Sequence, residues 1–487
     1  MATQAPGAAS GAYATATTSG FGGGSTPTPY SCPVPRVPER WLPWLMGAIV
    51  AALYVTLAWA RYRAFVTPSW DLAIFTEVVD HYAHFEAPLA DVKGAGFNFL
   101  GDHFSPALAV LAPAYRLFPS PVTLLVLQGL LFGLSVVPVA RAALRRLPVP
   151  VALLVAIGYG ASFGLANAVL VEFHEVALAV PLIAFSLEAL LDRRWRACLL
   201  WAMPLVLVKE DLGATVAVIA LLVAIRAGAG RARTWAVVVG ALALAASALE
   251  VLVLIPIAAG DGSYAYFGKF GGSTPSGALS ARLHTTWRLA AVTGGGALLS
   301  PIALVALPTL LWRFASDNPA YWGTDWHYDA VLMPVLFLAL VDTLDRHRMR
   351  RLVQVALVAL IGLAAAWSVA HSQLWKLTEH SLWADTTHRA ALRAAEARIP
   401  AGETVSSDLG LISHLAGRDT VYWISTPGVR PAYVVVDEAT GWGPPGPAEL
   451  PHWFAQTHGG GIYAVIWSRD GVTVLRRVTR GTEGVVE

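Results

Sequence analysis

Residues 67–106 open with TPSWDLAIF and run on to FLGDHFSP, holding Asp71, Glu77, Asp80, His81, His84, Asp91, Lys93, Asp102 and His103. Carboxylates and imidazoles exchange protons near neutral pH, so such a stretch suits acid and base chemistry on a hydroxyl group. Four more short segments share this make-up. They are VEFHE at 171–175, VKED at 208–211, a Gly-rich segment at 261–288 with Tyr264, Tyr266, Lys269, Arg282, His284 and Arg288, and DWHYD at 325–329.

Each candidate has a chemical reading and a plainer one. Asp71 lies about ten residues beyond the first apolar run, where a carboxylate at a low-dielectric boundary suits a general base; its plain role is to cap a short helix. His103 suits a phosphate oxygen or a metal, or is a satisfied interfacial histidine. Glu172, His174 and Glu175 sit together at the end of an apolar run, where a charge must be paired or solvated. The spacing is not HExxH and specifies no metal. Lys209, Glu210 and Asp211 separate two short apolar runs, which points to a water-filled cavity or to an ion pair that fixes helix register. His327 and Tyr328 lie among Tyr321, Trp322 and Trp326, which also compose an interfacial aromatic belt. Lys269 and Arg282 suit an anionic headgroup, Arg through bidentate bonds and Lys as a point charge, or simply a solvated loop.

The elements that must position these motifs are membrane spans. The 487 residues are 56% hydrophobic and 14% charged, too apolar for a soluble domain of that length. The net charge of +2 gives no reason to expect a nucleic-acid partner. The two cysteines, Cys32 and Cys198, exclude a disulfide framework or a thiolate cluster. Apolar runs at 41–60, 122–140, 149–165, 176–191, 198–208, 212–225, 235–257, 289–299, 302–312, 330–341 and 352–370 predict about eleven crossings. Arginines gather in alternate connections, at 141–146, 193–196, 226–233 and 346–351, which the positive-inside rule makes cytoplasmic. The acidic and histidine motifs, and all four lysines, then face outward. Residues 1–38, rich in Ala, Gly, Ser, Thr and Pro, read as a disordered cytoplasmic tail, and 39–370 as the transmembrane domain with its first outer loop at 62–120. Residues 371–487 return to soluble composition. A helix near 385–397 and strands near 403–406, 420–424, 432–436, 462–467 and 472–477 predict a small extracytoplasmic α/β domain.

The series WDLAIF, GDHFSPAL, LAPAYRLFPSPVTLLVLQ, VEFHE, VKED, WHYDAVLMP and VSSDLGLISHLAGRDTVYW resembles a family of predicted bacterial multi-pass membrane proteins of unknown function, related to the GT-C glycosyltransferases. The likeness spans about residues 40–440 and implies a GT-C-like α-helical fold in the bacterial cytoplasmic membrane. It further implies transfer of a sugar from a polyprenyl-phosphate donor to an extracytoplasmic glycan, lipid or protein, with Asp71 as the catalytic carboxylate. His103, Lys209, Lys269, Arg282, His327 and Tyr328 would bind substrate or phosphate. A divalent metal, where one is used, would fall to Glu172, His174, Glu210 and Asp211. Asp71 is flanked by Trp70 and Leu72, a departure from the usual paired-acid signature of many GT-C enzymes. The competing reading is a transporter or lipid carrier whose ionisable residues line an outward-facing polar cavity.

Overall fold

The computed structural model describes residues 37–66, 70–272, 277–346, 351–442, 446–458 and 460–478. The tail expected to be disordered, with Cys32 and Arg36, falls almost wholly outside the described residues, as do Arg348 and Arg350. Among the described residues six helices are long and apolar enough to cross a bilayer: Arg40–Arg63, Pro121–Arg146, Val149–Leu170, Arg231–Ala259, His327–Arg346 and Val355–Trp383. Shorter apolar helices cover Val176–Leu191, Trp195–Leu207, Leu212–Arg226 and Pro301–Ala315.

The expected run at 289–299 is not one helix. Helix Ala278–Ala291 stops before three glycines, and Gly294 and Gly295 take left-handed φ values of 58° and 77° before a 3-10 turn at Gly296–Leu299. A residue with a Cβ resists that backbone, so an apolar composition here does not make a helix. The segment still runs from one end of the bundle to the other. Thr285 donates to the Trp322 carbonyl at 2.5 Å at one end, while the Gly296 carbonyl accepts from Thr343 at 2.9 Å and Ser300 donates to Asp342 at 2.5 Å at the other.

The arginine-bearing connections meet at that second end. Arg141 pairs with Glu188, Arg145 and Arg146 each reach Asp192 at 2.6 Å, and Arg226 reaches Asp342 at 3.0 Å. The arginine end therefore has its own carboxylates, where the sequence had pointed to a division of acids from arginines.

Close packing of the first helix fixes the bundle. Gly129 and Gly133 form a G-x-x-x-G pair on the second long helix, and a Cβ at Gly133 would lie 2.5 Å from both the Gly47 carbonyl oxygen and Ala51 Cβ. Small residues at this spacing let two helices touch backbone to backbone.

The C-terminal sheet has the order β2-β1-β3-β5-β4, with β1 (Thr404–Ser407) parallel to β2 (Thr420–Trp423) and β3 (Tyr433–Asp437), and β5 (Val472–Val478) antiparallel to β3 and β4 (Ile462–Arg469). These strands coincide with those expected. The sheet is not an appended unit, because Val405, Leu411, Ile412, Leu415 and Val421 belong to the same buried core as Leu72, Phe75 and Tyr115 of the first loop. His414 stacks with ring centroids 4.0 Å from both Tyr62 and Phe65. Glu77, buried on helix Asp71–Ala83, accepts from the Val92 N–H at 3.1 Å, and burial holds its carboxyl well above the usual range.

Two outcomes follow from this packing. Gly133→Leu forces the first two long helices apart and lowers thermal stability in detergent by about 1–3 kcal/mol; an unchanged melting temperature would show that the backbones are not in contact. Burial pushes the His414 imidazole down to about 3. A depressed pKa contributes stability that is complete above about 6.5 and declines as pH falls toward the folded value, by about 2 kcal/mol on going to pH 5. Proteolysis of the sheet should therefore accelerate at pH 5 in the wild type and not in His414→Phe, and equal acceleration in both removes His414 as the cause.

Candidate functional site

A cavity of about 580 Å³ opens where the motif segments meet at one end of the bundle. Its wall draws on all five motif segments: Asp71, Asp102 and His103 from the first loop, His174 and Glu175, Lys209 to Asp211, Tyr264 to Lys269, and His327 with Tyr328.

Local geometry explains each placement. Asp71 is the first residue of helix Asp71–Ala83, with Trp70 at the N-cap, and its carboxylate lies 3.2 Å from His174 Nε2. His174 is held from behind. Its ring stacks on His327 at 3.6 Å, and its backbone N–H donates at 3.2 Å to Gln128, whose side-chain NH2 donates to the Glu172 carbonyl at 3.0 Å. His327 is itself buried at the start of the helix it opens.

The VKED turn supplies the hub. Lys209 Nζ donates to Glu175 Oε1 at 2.6 Å, and both groups are buried. Burial alone would raise Glu175, but the Lys209 ammonium, with His103 and His174 nearby, holds it below its usual range, and Glu175, Glu210 and Asp211 hold Lys209 well above its own. Both directions describe an ionised pair. Glu210 accepts from His103 Nδ1 at 2.8 Å, from the Tyr264 hydroxyl at 2.9 Å and from the Phe104 N–H at 3.2 Å. Against the effect of burial, His103 and Lys209 hold Glu210 down at about 2. Asp211 goes the other way, since burial pushes it up to about 6 despite Lys209.

The expected residues do not all serve as expected. His103 has both ring nitrogens engaged, by Glu210 and, at 2.8 Å, by Tyr266. It is the satisfied histidine of the plainer reading and it positions its neighbours. Arg282 is turned away from the cavity, donating to the Ser316 carbonyl at 3.3 Å with its guanidinium over Trp322. Lys269 does line it, with Nζ 3.8 Å from the Tyr266 ring centre and 3.3 Å from the Tyr321 hydroxyl.

Glu172, His174, Glu210 and Asp211 do not converge as metal ligands. Glu172 occupies a left-handed turn (φ 68°) and does not line the cavity, Glu210 is taken up by His103 and Tyr264, and Asp211 accepts from Trp312 at 2.8 Å. Among the described residues no three His, Cys, Asp or Glu side chains are grouped to hold a metal. The side chains present do not fit a metal ion, and no step below runs through one.

Sequence reading passed over several supports. Gln128 and Glu250 are polar residues inside apolar runs, and Glu250 begins a π-helical turn one residue before the cavity-lining Val251. Arg313, fully buried, donates to Asp329 at 2.6 Å and to the Tyr321 and Gly323 carbonyls at 2.9 and 2.7 Å, pinning the loop that presents His327 and Tyr328. The signal for all three was a polar side chain that lipid would not tolerate unpaired.

Fold and site together define a polytopic membrane protein with a polar cavity at one end of its bundle. Residues 61–443 match the family described as "Predicted membrane protein (DUF2079)", and the chain belongs to that family. Among curated proteins none matches. The crystal structure of ArnT from Cupriavidus metallidurans bound to undecaprenyl phosphate is similar in fold, with a TM-score of 0.55 and 12% identity, covering 88% of this chain and 97% of that one.

Lys209→Met leaves Glu175 charged and buried without its partner and costs about 3–5 kcal/mol of unfolding stability. Lys209→Met with Glu175→Gln recovers much of that loss, because no charge is then stranded. A double variant no more stable than the single one in detergent unfolding would mean that the two side chains are not paired.

Proposed function

We propose that this protein is a GT-C-type glycosyltransferase that moves a sugar from a polyprenyl-phosphate donor to an extracytoplasmic hydroxyl, with Asp71 as general base. The observation that carries the reading is the convergence of the separated polar motifs on one cavity, with Asp71 at its wall, in a fold similar to ArnT. In this reading the chain crosses the bacterial cytoplasmic membrane about eleven times, with its N-terminus inside and the cavity and sheet outside, as the alternating arginines favour.

The chemistry follows from the side chains. Asp71 takes the proton of the acceptor hydroxyl. That oxygen attacks the anomeric carbon from the side opposite the phosphate, the anomeric C–O bond breaks, and polyprenyl phosphate leaves with the electron pair, so configuration inverts. His174, stacked on His327, orients the carboxylate at 3.2 Å. Lys269, whose contacts in the cavity are Tyr266 and Tyr321, is the cation best suited to the leaving phosphate. Lys93 is engaged with Asp102, and Lys209 with Glu175. A fixed cation in a desolvated site stabilises charge that develops in the transition state without reorganisation at the moment of reaction. The motifs gather at the end of the bundle, which suits transfer at the membrane surface better than a translocation path with sites near the midplane.

Asp71→Asn keeps the carbonyl shape and removes the base, so transfer should fall by about a hundredfold or more while expression, insertion and thermal stability stay at wild-type values. A variant as active as the wild type removes Asp71 from the mechanism.

A further inference from the structure

Outside the cavity, the aromatic residues at its rim form a second feature that the proposed chemistry leaves unused. Trp70 lines the cavity beside Asp71, and its ring meets Trp423 edge to face with centroids 5.5 Å apart. Trp423 in turn meets Trp442 edge to face at 4.9 Å. Trp442 is 48% exposed, and Trp70 and Trp423 are half-buried. None of the three indole N–H groups donates a hydrogen bond among the described residues. Trp70 and Trp423 pack against the core, whereas the Trp442 ring stands about half in solvent, and an indole N–H that ordinarily finds a partner when buried is here unused, which suits a ligand with an apolar face and a polar edge.

The position of this corner matters as much as its composition. Trp423 ends β2 and pairs in register with Ser407 at the end of β1, next to Asp408. Asp408 accepts from the Asp437 N–H at the end of β3 and from Thr440, both at 2.8 Å, and Thr440 leads directly to Trp442. The corner thus stands at the carboxyl ends of three parallel strands, where open α/β sheets bind their ligands.

We propose that Trp423 and Trp442 hold a pyranose or furanose ring of a saccharide acceptor, so that the acceptor of the transferase is a glycan laid across the carboxyl end of the sheet with its reacting hydroxyl beyond Trp70 at Asp71. A sugar ring presents C–H groups on its faces and hydroxyls at its edge, the chemistry that the exposed Trp442 ring and the unused N–H donors match. The inference rests on the transferase reading for the direction of the chain, and the binding step does not depend on turnover.

The test is to apply the full-length protein in nanodiscs to an array of immobilised soluble glycans. The wild type should retain one glycan class. Trp442→Ala should bind it about tenfold more weakly, the size of loss expected on truncating one central aromatic anchor, and Trp442→Phe should recover most of the affinity. Retention of no glycan by the wild type, or unweakened binding by Trp442→Ala, overturns the proposal and leaves the three rings to an aromatic belt at the membrane interface. Transfer to a lipid or protein with no glycan retained sinks the saccharide site alone. Glycan binding by a wild type whose transfer is unaffected by Asp71→Asn sinks the base assignment alone.

Discussion

The Lys209–Glu175 ion pair is the contact on which the rest of the site depends. It ties the turn between two short apolar helices to the start of the Val176–Leu191 helix, and Glu210 on the same turn gathers His103, Tyr264 and the Phe104 N–H. An ammonium so deeply buried persists only while its carboxylate partner is held at bonding distance. The pair therefore contributes little net stability but sets which helix ends must lie together, and the cavity is the space those ends enclose.

A second constraint comes from the C-terminal sheet. Because β1 and β2 share a core with the helix that carries Asp71, the carboxylate is supported from two sides, by His174 at the bundle end and by the sheet through Phe75, Leu72 and Tyr115. His414 between Tyr62 and Phe65 and the buried Glu77 sit on that seam. The arrangement places the ends of the parallel strands next to the cavity rim, through the contact of Trp423 with Trp70.

Much of this was legible residue by residue. The motifs around Asp71, His174, Lys209 and His327 stand out because ionisable groups beside apolar runs are rare and must face water or one another. The strands were legible from β-branched and aromatic alternation bounded by Gly and Pro. What misled was direction and local backbone. Arg282 shares a segment with Lys269 yet turns to Ser316, Glu172 shares a motif with His174 yet stays out of the cavity wall, and the glycines at 294–296 break an apolar run. Neither the outcome at Arg282 nor that at Glu172 can be read from spacing, because each depends on which neighbour lies opposite after packing.

Composition and periodicity by themselves determined that the chain carries several apolar helices of a membrane protein, that its ionisable motifs lie beside apolar runs, and that a small sheet follows near the C-terminal end. These are properties of the solvent each segment needs, and a segment carries that information alone. Tertiary structure alone decided that His103 positions its neighbours, that the four candidate metal ligands look to different partners, and that Trp70, Trp423 and Trp442 meet at a corner. Those outcomes depend on distances between residues far apart in the chain, which are set only when buried charges find partners and glycine-lined helices close against each other.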